Sequence, residues 1–145
     1  MPGGDTADTT NLGFLLAKAS QRWNELLGKA FRQHDFAEVR PSYGSVLLPL
    51  FEQDGLRIGD IARRARLSKQ TMTTLVRLCE RDGLVVRTRD ADDGRAFRIE
   101  LTARGRAFQA VAVTVLHELD QQVLRELGDK QHDALITALQ GVMDL

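Results

Sequence analysis

Residues 58–81 read IGDIARRARLSKQTMTTLVRLCER, and this stretch decides the fold. Apolar residues recur at helical spacing in its first part and predict a short helix over 58–65. Ser68 then provides an N-cap, because its hydroxyl can accept a hydrogen bond from a free backbone N–H of the next turn. A second helix is predicted over 69–81, so the stretch consists of two short helices joined by a tight turn.

A β-hairpin is predicted immediately after the second of these helices. Gly83 ends the helix, and residues 84–88 and 97–101 have the β-branched and alternating character of strands. The connection between the strands is rich in turn formers, Asp90-Ala91-Asp92-Asp93-Gly94. Two short helices followed by a hairpin are the order of a winged helix-turn-helix, whose second helix is about the right width for the major groove of duplex DNA.

The predicted helix over 69–81 has two chemically different faces. Its apolar face comprises Met72, Leu75, Val76 and Cys79. Its other face comprises Gln70, Thr73, Thr74 and Arg77. These polar side chains suit base edges, because glutamine can pair with adenine, arginine can pair with guanine, and threonine offers a hydroxyl and a methyl group. Ser68 and Lys69 stand at the helix N-terminus, where free N–H groups and a cation attract phosphate, so we expect them to position the helix.

Two further helices are predicted on the N-terminal side of this central unit. Residues 12–34 form an amphipathic helix whose wide apolar stripe favours contact with a partner, with ordinary core packing as the alternative. A second helix is predicted to start at Pro41 and to run to about Gln53. Because an interior proline removes a backbone hydrogen bond, Pro49 predicts a bend or an early end near Leu48.

The C-terminal side is predicted to be helical as well. Thr102 opens a long helix that closes at Gly128, and Asp129 is predicted to cap a last amphipathic helix. The predicted fold class is therefore mainly α, with a small β-hairpin wing. It combines a winged helix-turn-helix with amphipathic helices at both ends of the chain.

The formal net charge is zero, but the charges are unevenly distributed along the chain. Residues 57–98 carry eleven basic and six acidic side chains, a balance of +5, which leaves −5 for the rest of the chain. The basic residues are Arg57, Arg63, Arg64, Arg66, Lys69, Arg77, Arg81, Arg87, Arg89, Arg95 and Arg98. A basic centre between acidic flanks indicates a surface that faces a polyanion, although a solvated helix surface could carry the same excess.

The composition is that of an ordinary globular domain, with 43% hydrophobic and 28% charged residues over 145 positions. No apolar run approaches the ~20 residues of a membrane helix, and residues 1–11 lack the basic and apolar regions of a signal peptide. We therefore expect a cytoplasmic protein without membrane contact. Cys79 and the three histidines are scattered without the spacing of metal ligands, so the sequence predicts no metal, no cofactor and no enzymatic activity.

In combination, these segments resemble the MarR family of bacterial transcription regulators over nearly the whole chain. The resemblance is carried by Ile61-Ala62, Leu67-Ser68-Lys69-Gln70-Thr71-Met72-Thr73, Gly83-Leu84-Val85, Asp93-Gly94-Arg95 and Leu101-Thr102-Ala103-Arg104-Gly105. It implies one domain over 1–145, with a winged helix-turn-helix at 41–101 and dimerisation helices at 12–34 and 102–143. It also implies a homodimeric repressor of transcription that binds duplex DNA sequence-specifically. A dimer with two-fold symmetry predicts an inverted-repeat operator.

The resemblance assigns roles to two residues of the predicted wing. Arg95 is expected to enter the minor groove, and Asp93 is expected to support the wing. Two positions depart from the family's pattern. Arg57 stands where many members have a Thr or Ser cap, and Gly94 stands where many carry another arginine. The second departure predicts a more flexible wing tip with one fewer phosphate contact.

The resemblance also implies a small aromatic or anionic effector that controls DNA binding. A pocket for it is expected near the junction of the first two helices, at Trp23, His34, Arg40 and Tyr43. Core packing and ordinary surface exposure are the competing interpretation of these four residues. A similar choice arises for Cys79, between core packing and redox sensing, which would need an exposed thiol beside a cation.

The alternative function is a winged-helix protein-interaction module that does not bind DNA. A helix that docks on another protein is expected to present exposed apolar anchors. The face predicted for 69–81 is polar instead, and the segment around it is basic. Both features favour DNA binding over the alternative.

Overall fold

The computed structural model describes residues 8–145 of the chain. Within them, the chain forms six α-helices, one short 3-10 helix and three β-strands. The helices are α1 (Leu12–Gln33), α2 (Gly44–Glu52), α3 (Ile58–Ala65), α4 (Lys69–Arg81), α5 (Ala103–Leu127) and α6 (Asp129–Met143). The strands are β1 (Leu56–Arg57), β2 (Val85–Arg89) and β3 (Phe97–Leu101), and the 3-10 helix spans Pro41–Tyr43. The prediction of a mainly α fold with a small β wing is confirmed.

The helix-turn-helix of α3 and α4 forms where the sequence predicts it. Arg66 ends α3 in the left-handed conformation, with φ of 56°, and the N–H of Leu67 bonds back to the carbonyl of Ala62 at 3.0 Å. The hydroxyl of Ser68 then accepts a hydrogen bond from the N–H of Thr71 at 3.1 Å, as expected of an N-cap. These local bonds fix the turn between the two helices.

The wing is a three-stranded antiparallel sheet, because a strand that was not predicted joins the hairpin. The strand order is β1-β3-β2, and β1 pairs Leu56 with Ile99. The predicted hairpin of β2 and β3 is confirmed, with Val85 opposite Leu101. A strand of two residues is too short to give an alternating pattern, so β1 has no signal in the sequence.

Pro49 does not end α2 near Leu48, which was one of the two predicted outcomes. The helix continues to Glu52, and the carbonyl of Pro49 accepts a hydrogen bond from the N–H of Gln53 at 2.9 Å. Pro49 is itself buried, and Leu47 and Leu50 are almost completely buried on either side of it. Packing of this apolar helix therefore outweighs the one backbone hydrogen bond that the proline removes.

The two C-terminal helices meet at one glycine. The hydroxyl of Thr102 caps α5 by accepting the N–H of Gly105 at 3.0 Å, as predicted. The predicted cap of α6 is wrong, because Gly128 (φ 80°) is the N-cap and Asp129 lies inside the helix. Gly128 both ends α5 and begins α6, so no linker residue separates them. Asp129 instead places a carboxylate in the first turn, where the helix dipole favours it.

The core lies between the helices and the sheet. Phe108 of α5 is at its aromatic centre, with ring centroids of Phe31, Phe36 and Phe51 at 4.8, 5.2 and 6.4 Å. Every helix from α1 to α5 contributes buried residues, whereas α6 contributes none. Within residues 8–145, no helix is long and apolar enough to cross a membrane.

Candidate nucleic-acid interface

One face of α4 is polar and faces solvent, opposite the face that packs on the core. The buried residues beneath it are Met72, Val76 and Cys79. The solvent-facing residues are Lys69, Gln70, Thr74 and Arg77, which are exposed, and Thr73, which is half-buried. Residues three and four apart are neighbours on a helix surface. The structure therefore brings the four residues predicted to read bases onto one continuous face.

At the N-terminus of α4, the two residues predicted to contact phosphate differ. The hydroxyl of Ser68 accepts the N–H of Thr71 and also donates to the Thr71 hydroxyl, at 3.1 and 2.8 Å. Its side chain is thus used inside the first turn. Lys69 is exposed, and within residues 8–145 its amino group makes neither a hydrogen bond nor an ion pair. Of these two, Lys69 is the residue with a free polar head.

The two threonines of the face have their hydroxyls turned towards the helix backbone. Thr73 Oγ1 donates to the carbonyl of Lys69 at 2.8 Å, and Thr74 Oγ1 donates to the carbonyl of Gln70 at 3.3 Å. The side chains of Gln70 and Arg77 have no hydrogen-bond partner among the described residues. The middle of the face therefore consists of two threonines whose hydroxyls are bonded to the helix backbone. The free polar side chains of Gln70 and Arg77 lie on either side of them.

A buried carboxylate within the turn predicted at 90–94 holds the wing together. Asp90 is 3% exposed and pairs with Arg57 at 2.8 Å and with Arg98 at 3.0 Å. It also accepts the backbone N–H groups of Asp92, at 2.9 Å, and of Asp93, at 3.4 Å. The N–H of Asp92 and then the two guanidinium groups hold the pKa of Asp90 below its ordinary value, despite burial. Asp90 therefore joins β1, β3 and the wing turn.

The tip of the wing leaves one arginine extended into solvent. Asp93 accepts the backbone N–H of Arg95 at 3.0 Å. The side chain of Arg95 is exposed and has no partner among residues 8–145. Arg89, which the sequence analysis did not single out, donates to the carbonyl of Gly94 at 2.6 Å and lies 5.6 Å from the ring of Phe97. The turn is thus braced by backbone contacts, and the Arg95 guanidinium remains free.

Charge pairing separates the basic residues of 57–98 into two groups. Seven of the eleven lie within 4 Å of a carboxylate: Arg57, Arg63, Arg64, Arg66, Arg81, Arg87 and Arg98. Among the described residues, the four that pair with no carboxylate are Lys69, Arg77, Arg89 and Arg95. The first two lie on α4 and the last two lie on the wing. The uncompensated positive charge is therefore concentrated on the helix face and the wing.

Comparison with known proteins gives the family. The family model described as "MarR family" matches residues 41–96. The HTH-type transcriptional repressor Rv2887 of Mycobacterium tuberculosis is 32% identical over 132 residues, which cover 86% of this chain and 88% of that protein. The chain belongs to the MarR family. Another relative, the HTH-type transcriptional regulator TtmR of Methylorubrum extorquens, is 32% identical over 81% of this chain and 60% of its own length.

Solved structures of two transcription regulators have the same fold as this chain. The transcriptional repressor CouR, bound to a 23-mer DNA duplex, is 26% identical, with a TM-score of 0.78 over 97% of this chain and 98% of that chain. PcaV of Streptomyces coelicolor, in complex with its natural ligand, gives a TM-score of 0.80 over 99% of this chain and 98% of that chain, at 24% identity. At that identity, the likeness to PcaV concerns the fold alone.

This MarR-family chain has a cavity close to the junction of the first two helices, where the effector pocket was predicted. It has a volume of about 280 Å³ and lies between α1, α2 and α5. Trp23 and Arg40 line it, and Phe31, Phe51 and Phe108 contribute aromatic walls. Two of the four residues predicted for an effector pocket are therefore brought together.

The other two residues of the predicted pocket lie elsewhere. Tyr43 is completely buried, and its hydroxyl donates to Asp82 at 2.5 Å, beyond the end of α4. Burial and this carboxylate raise the pKa of Tyr43 to about 12. His34 is exposed, and its Nδ1 lies 2.9 Å from the carbonyl oxygen of Ala30. Tyr43 therefore belongs to the core and His34 to the surface, which is the competing interpretation for these two residues.

The buried thiol of Cys79 does not have the setting of a redox sensor. Burial raises the pKa of Cys79 to about 12, so the thiolate that reacts with oxidants is disfavoured at neutral pH. The side chain packs beneath α4, as its place on the apolar face indicates. Within residues 8–145, no group of three His, Cys, Asp or Glu side chains is placed to bind a metal ion.

The terminal helices expose apolar side chains that the other residues of 8–145 do not cover. On α1 they include Leu12, Phe14 and Leu15, which are 63%, 43% and 48% exposed. On α6 they are Leu135, Ile136, Leu139, Val142 and Met143. A soluble monomer rarely exposes so many large apolar residues on neighbouring turns, and such surfaces mark interfaces.

Proposed function

We propose that the chain is a transcription repressor that binds duplex DNA sequence-specifically as a homodimer. The observation that carries this proposal is the distribution of free cations. Lys69 and Arg77 on α4 and Arg89 and Arg95 on the wing have no carboxylate partner among the described residues. Phosphate neutralisation by such side chains supplies much of the affinity for DNA. Membership of the MarR family and the DNA-bound relative CouR support the same conclusion.

In this proposal, α4 enters the major groove and the wing reaches an adjacent minor groove. The base-reading residues are Gln70, Thr73, Thr74 and Arg77. Lys69 contacts phosphate from the first turn of α4, and Ser68 fixes the cap that places it there. Arg95 inserts into the minor groove, with Asp93 holding the backbone beneath it. This division separates residues that position the protein from residues that select sequence.

The partner of the terminal helices is a second copy of the chain. Residues 12–34 and 102–143 form the dimerisation part of a single domain over 1–145, and residues 41–101 form its winged helix-turn-helix. The exposed apolar residues of α1 and α6 support this arrangement. The operator is an inverted repeat, with half-site centres about 10 base pairs apart or at a multiple of that distance.

DNA binding is released by a small aromatic or anionic effector in the cavity between α1, α2 and α5. The cavity offers aromatic walls for a ring and the guanidinium of Arg40 for an anionic group. PcaV, which has the same fold, is known with a natural ligand. We assign the protein to the cytoplasm, where it acts by binding and not by catalysis.

Selection from a random-sequence duplex pool tests DNA binding. The wild-type protein should enrich one inverted-repeat sequence, and Arg77→Ala and Arg95→Ala should bind that duplex more weakly. Arg125→Ala is the matched control, because it removes an arginine far from the wing. Arg125 lies in the last turn of α5, about twenty residues of helix, or roughly 30 Å, from the end of α5 that lies beside the sheet. A pool that stays random would contradict the proposal and favour the protein-interaction module.

Analytical ultracentrifugation tests the dimer. Leu139→Asp places a charge within the exposed apolar residues of α6 and should shift the protein from dimer to monomer or aggregate. Thr137→Asp adds the same charge two positions earlier, about 160° around the helix from Leu139, and should remain dimeric. A wild-type protein that sediments as a stable monomer at micromolar concentration would contradict the homodimer.

A further inference from the structure

We infer that Thr73 and Thr74 select thymine in the operator, through contact between their methyl groups and the C5-methyl group of the base. This inference rests on the proposed function, in which α4 lies in the major groove. It adds to that function the base that the middle of the polar face of α4 contacts, and the chemical group on that base. The contact is apolar, although it is made by residues with a polar functional group.

Each threonine hydroxyl has a single proton to donate. A backbone carbonyl can only accept a hydrogen bond, so Thr73 must donate its proton to Lys69 O, at 2.8 Å, and Thr74 must donate its proton to Gln70 O, at 3.3 Å. Neither hydroxyl then has a proton for a base. The major-groove acceptors are N7 and O6 of guanine, N7 of adenine and O4 of thymine. Reading any of them through these hydroxyls would require breaking a bond within the helix.

The hydrogen bonds of the two Oγ1 atoms also fix the orientation of the threonine methyl groups. The two branches of a threonine occupy different staggered positions on Cβ. Because Oγ1 lies against the preceding turn in both residues, the methyl branch is the one left for the outer surface. Thr74 is exposed and Thr73 is half-buried, so both contribute to the surface of the face.

Hydrogen-bonding side chains lie on both sides of the methyl groups of Thr73 and Thr74. Gln70 lies three and four residues before the two threonines, and Arg77 lies four and three residues after them. Both have polar ends without partners among residues 8–145 and match adenine and guanine respectively. The methyl pair therefore lies between two hydrogen-bonding side chains. Thymine carries the one apolar group at the major-groove edge of the four bases, so it is the base that fits there.

The test uses the duplex that wild-type protein enriches from a random pool. Each thymine of one half-site is replaced in turn by deoxyuridine, which removes only the methyl group. Wild-type protein should lose about fourfold in affinity at one or two of these positions, the factor expected for one methyl-sized apolar contact. Thr73→Val and Thr74→Val keep the methyl group and should bind the unmodified duplex as wild type does. Thr73→Ser and Thr74→Ser keep the hydroxyl and should lose about fourfold for each half-site.

Combining each protein variant with each deoxyuridine duplex tests whether a threonine methyl and a thymine methyl contact each other. A serine variant should be insensitive to deoxyuridine at the position that its missing methyl contacted in wild type, whereas the valine variant should remain sensitive. Thr114→Ser is the matched control, because it makes the same change at an exposed position of α5, outside the polar face of α4, and it should bind normally. Thermal melting of each variant establishes that it is folded.

Two results would overturn the inference while leaving the proposed function standing. One is weak binding by the valine variants together with normal binding by the serine variants, which would show that the hydroxyls read the base. The other is an enriched duplex in which no thymine methyl couples to either threonine. Failure to enrich any sequence is a different outcome, because it overturns the proposed function and the inference with it.

Discussion

At Asp90, one buried carboxylate holds together parts of the wing that are distant in sequence. Replacing Asp90 with Asn keeps the shape but leaves Arg57 and Arg98 without a counter-charge. We expect a lower Tm at neutral pH, measured by thermal unfolding. Asp92→Asn is the matched control, because the Asp92 side chain is exposed and makes no hydrogen bond among the described residues. An equal loss of Tm in both variants would contradict this role of Asp90.

The contribution of Asp90 should also depend on pH in a defined direction. The pKa of Asp90 is lowered in the folded protein, so its stabilising contribution is present above its unfolded pKa of about 4 and is lost as the pH falls through the folded pKa. The difference in free energy of unfolding between wild type and Asp90→Asn should therefore be constant near neutral pH and shrink in acid. Urea unfolding across this range measures it, and a difference that grows on acidification would contradict the assignment.

Replacing Arg95 should change the affinity for DNA without changing the stability of the fold. Its side chain is free and only its backbone N–H contacts Asp93, so Arg95→Ala should change the free energy of unfolding by less than about 0.5 kcal/mol. Its affinity should fall most on operators with A·T-rich flanks, because a narrow, strongly negative minor groove attracts an inserted guanidinium. Arg98→Ala provides the contrast, because it removes a partner of Asp90 and should lower the Tm.

Parallel melting and binding measurements on A·T-flanked and G·C-flanked duplexes distinguish the two roles. Equal losses of affinity on both duplexes would contradict minor-groove insertion by Arg95. A lowered Tm of Arg95→Ala with unchanged binding would indicate a structural role in the turn instead.

At the scale of one element, α4 should contain two energetically different kinds of contact. Lys69→Ala removes a phosphate contact, so it should weaken binding to all duplexes similarly and reduce the salt dependence by about one ion. Gln70→Ala and Arg77→Ala remove base contacts and should each cost about 1–3 kcal/mol, mainly on the preferred sequence. Titrations on the preferred and a scrambled duplex at several salt concentrations measure both effects. If all three variants relaxed sequence preference equally, this division of α4 would be wrong.

The elements that could be predicted from the sequence are those fixed by local signals. Ser68 and Thr102 cap helices through bonds to residues three positions away, and the apolar spacing of α3 and α4 is visible within single turns. The strand β1 could not be predicted, because its pairing with β3 joins residues more than forty positions apart. The continuation of α2 through Pro49 likewise depends on tertiary packing.

The candidate site shows the same division between local and distant causes. The polar face of α4 follows from helical periodicity alone, so its residues could be named in advance. The buried ion pairs of Asp90 could not, because Arg57 lies 33 positions away in the chain. Tyr43 was misplaced for a related reason. Its partner Asp82 is 39 positions away, so the hydrogen bond that holds the Tyr43 hydroxyl at the end of α4 could not be predicted from the sequence.

At the scale of the whole molecule, α6 is held to the rest of the chain by polar contacts near both of its ends. In its first turn, His132 Nε2 lies 2.7 Å from Asp120 Oδ1 of α5. At its C-terminal end, Arg66 of the helix-turn-helix donates to the carbonyl of Met143 at 3.0 Å and to Asp144 at 2.7 Å. These contacts position α6 without burying its apolar residues in the same chain. They therefore leave those residues available to the partner copy of the proposed dimer and connect α6 to the DNA-binding unit.

The His132 contact predicts how the stability of this arrangement depends on pH. The His132 side chain is 12% exposed, and it is faced by Asp120 of α5 and by Asp133 of its own helix. The hydrogen bond to Asp120 is the main cause that raises the pKa of His132. A raised folded pKa means that the stabilisation is fully present below the unfolded pKa of about 6.5 and is lost as the pH rises through the folded pKa.

The Tm of wild type should therefore exceed that of His132→Gln most clearly in mildly acidic buffer, and the gap should narrow as the pH is raised above about 6.5. His117→Gln is the matched control, because His117 is exposed on α5 and has no hydrogen-bond partner among residues 8–145. Thermal melting of the three proteins at constant ionic strength and concentration measures the gap. Constant protein concentration matters because the Tm of a dimer depends on it. A gap between wild type and His132→Gln that widens with rising pH would show that protonated His132 does not hold α6 against α5.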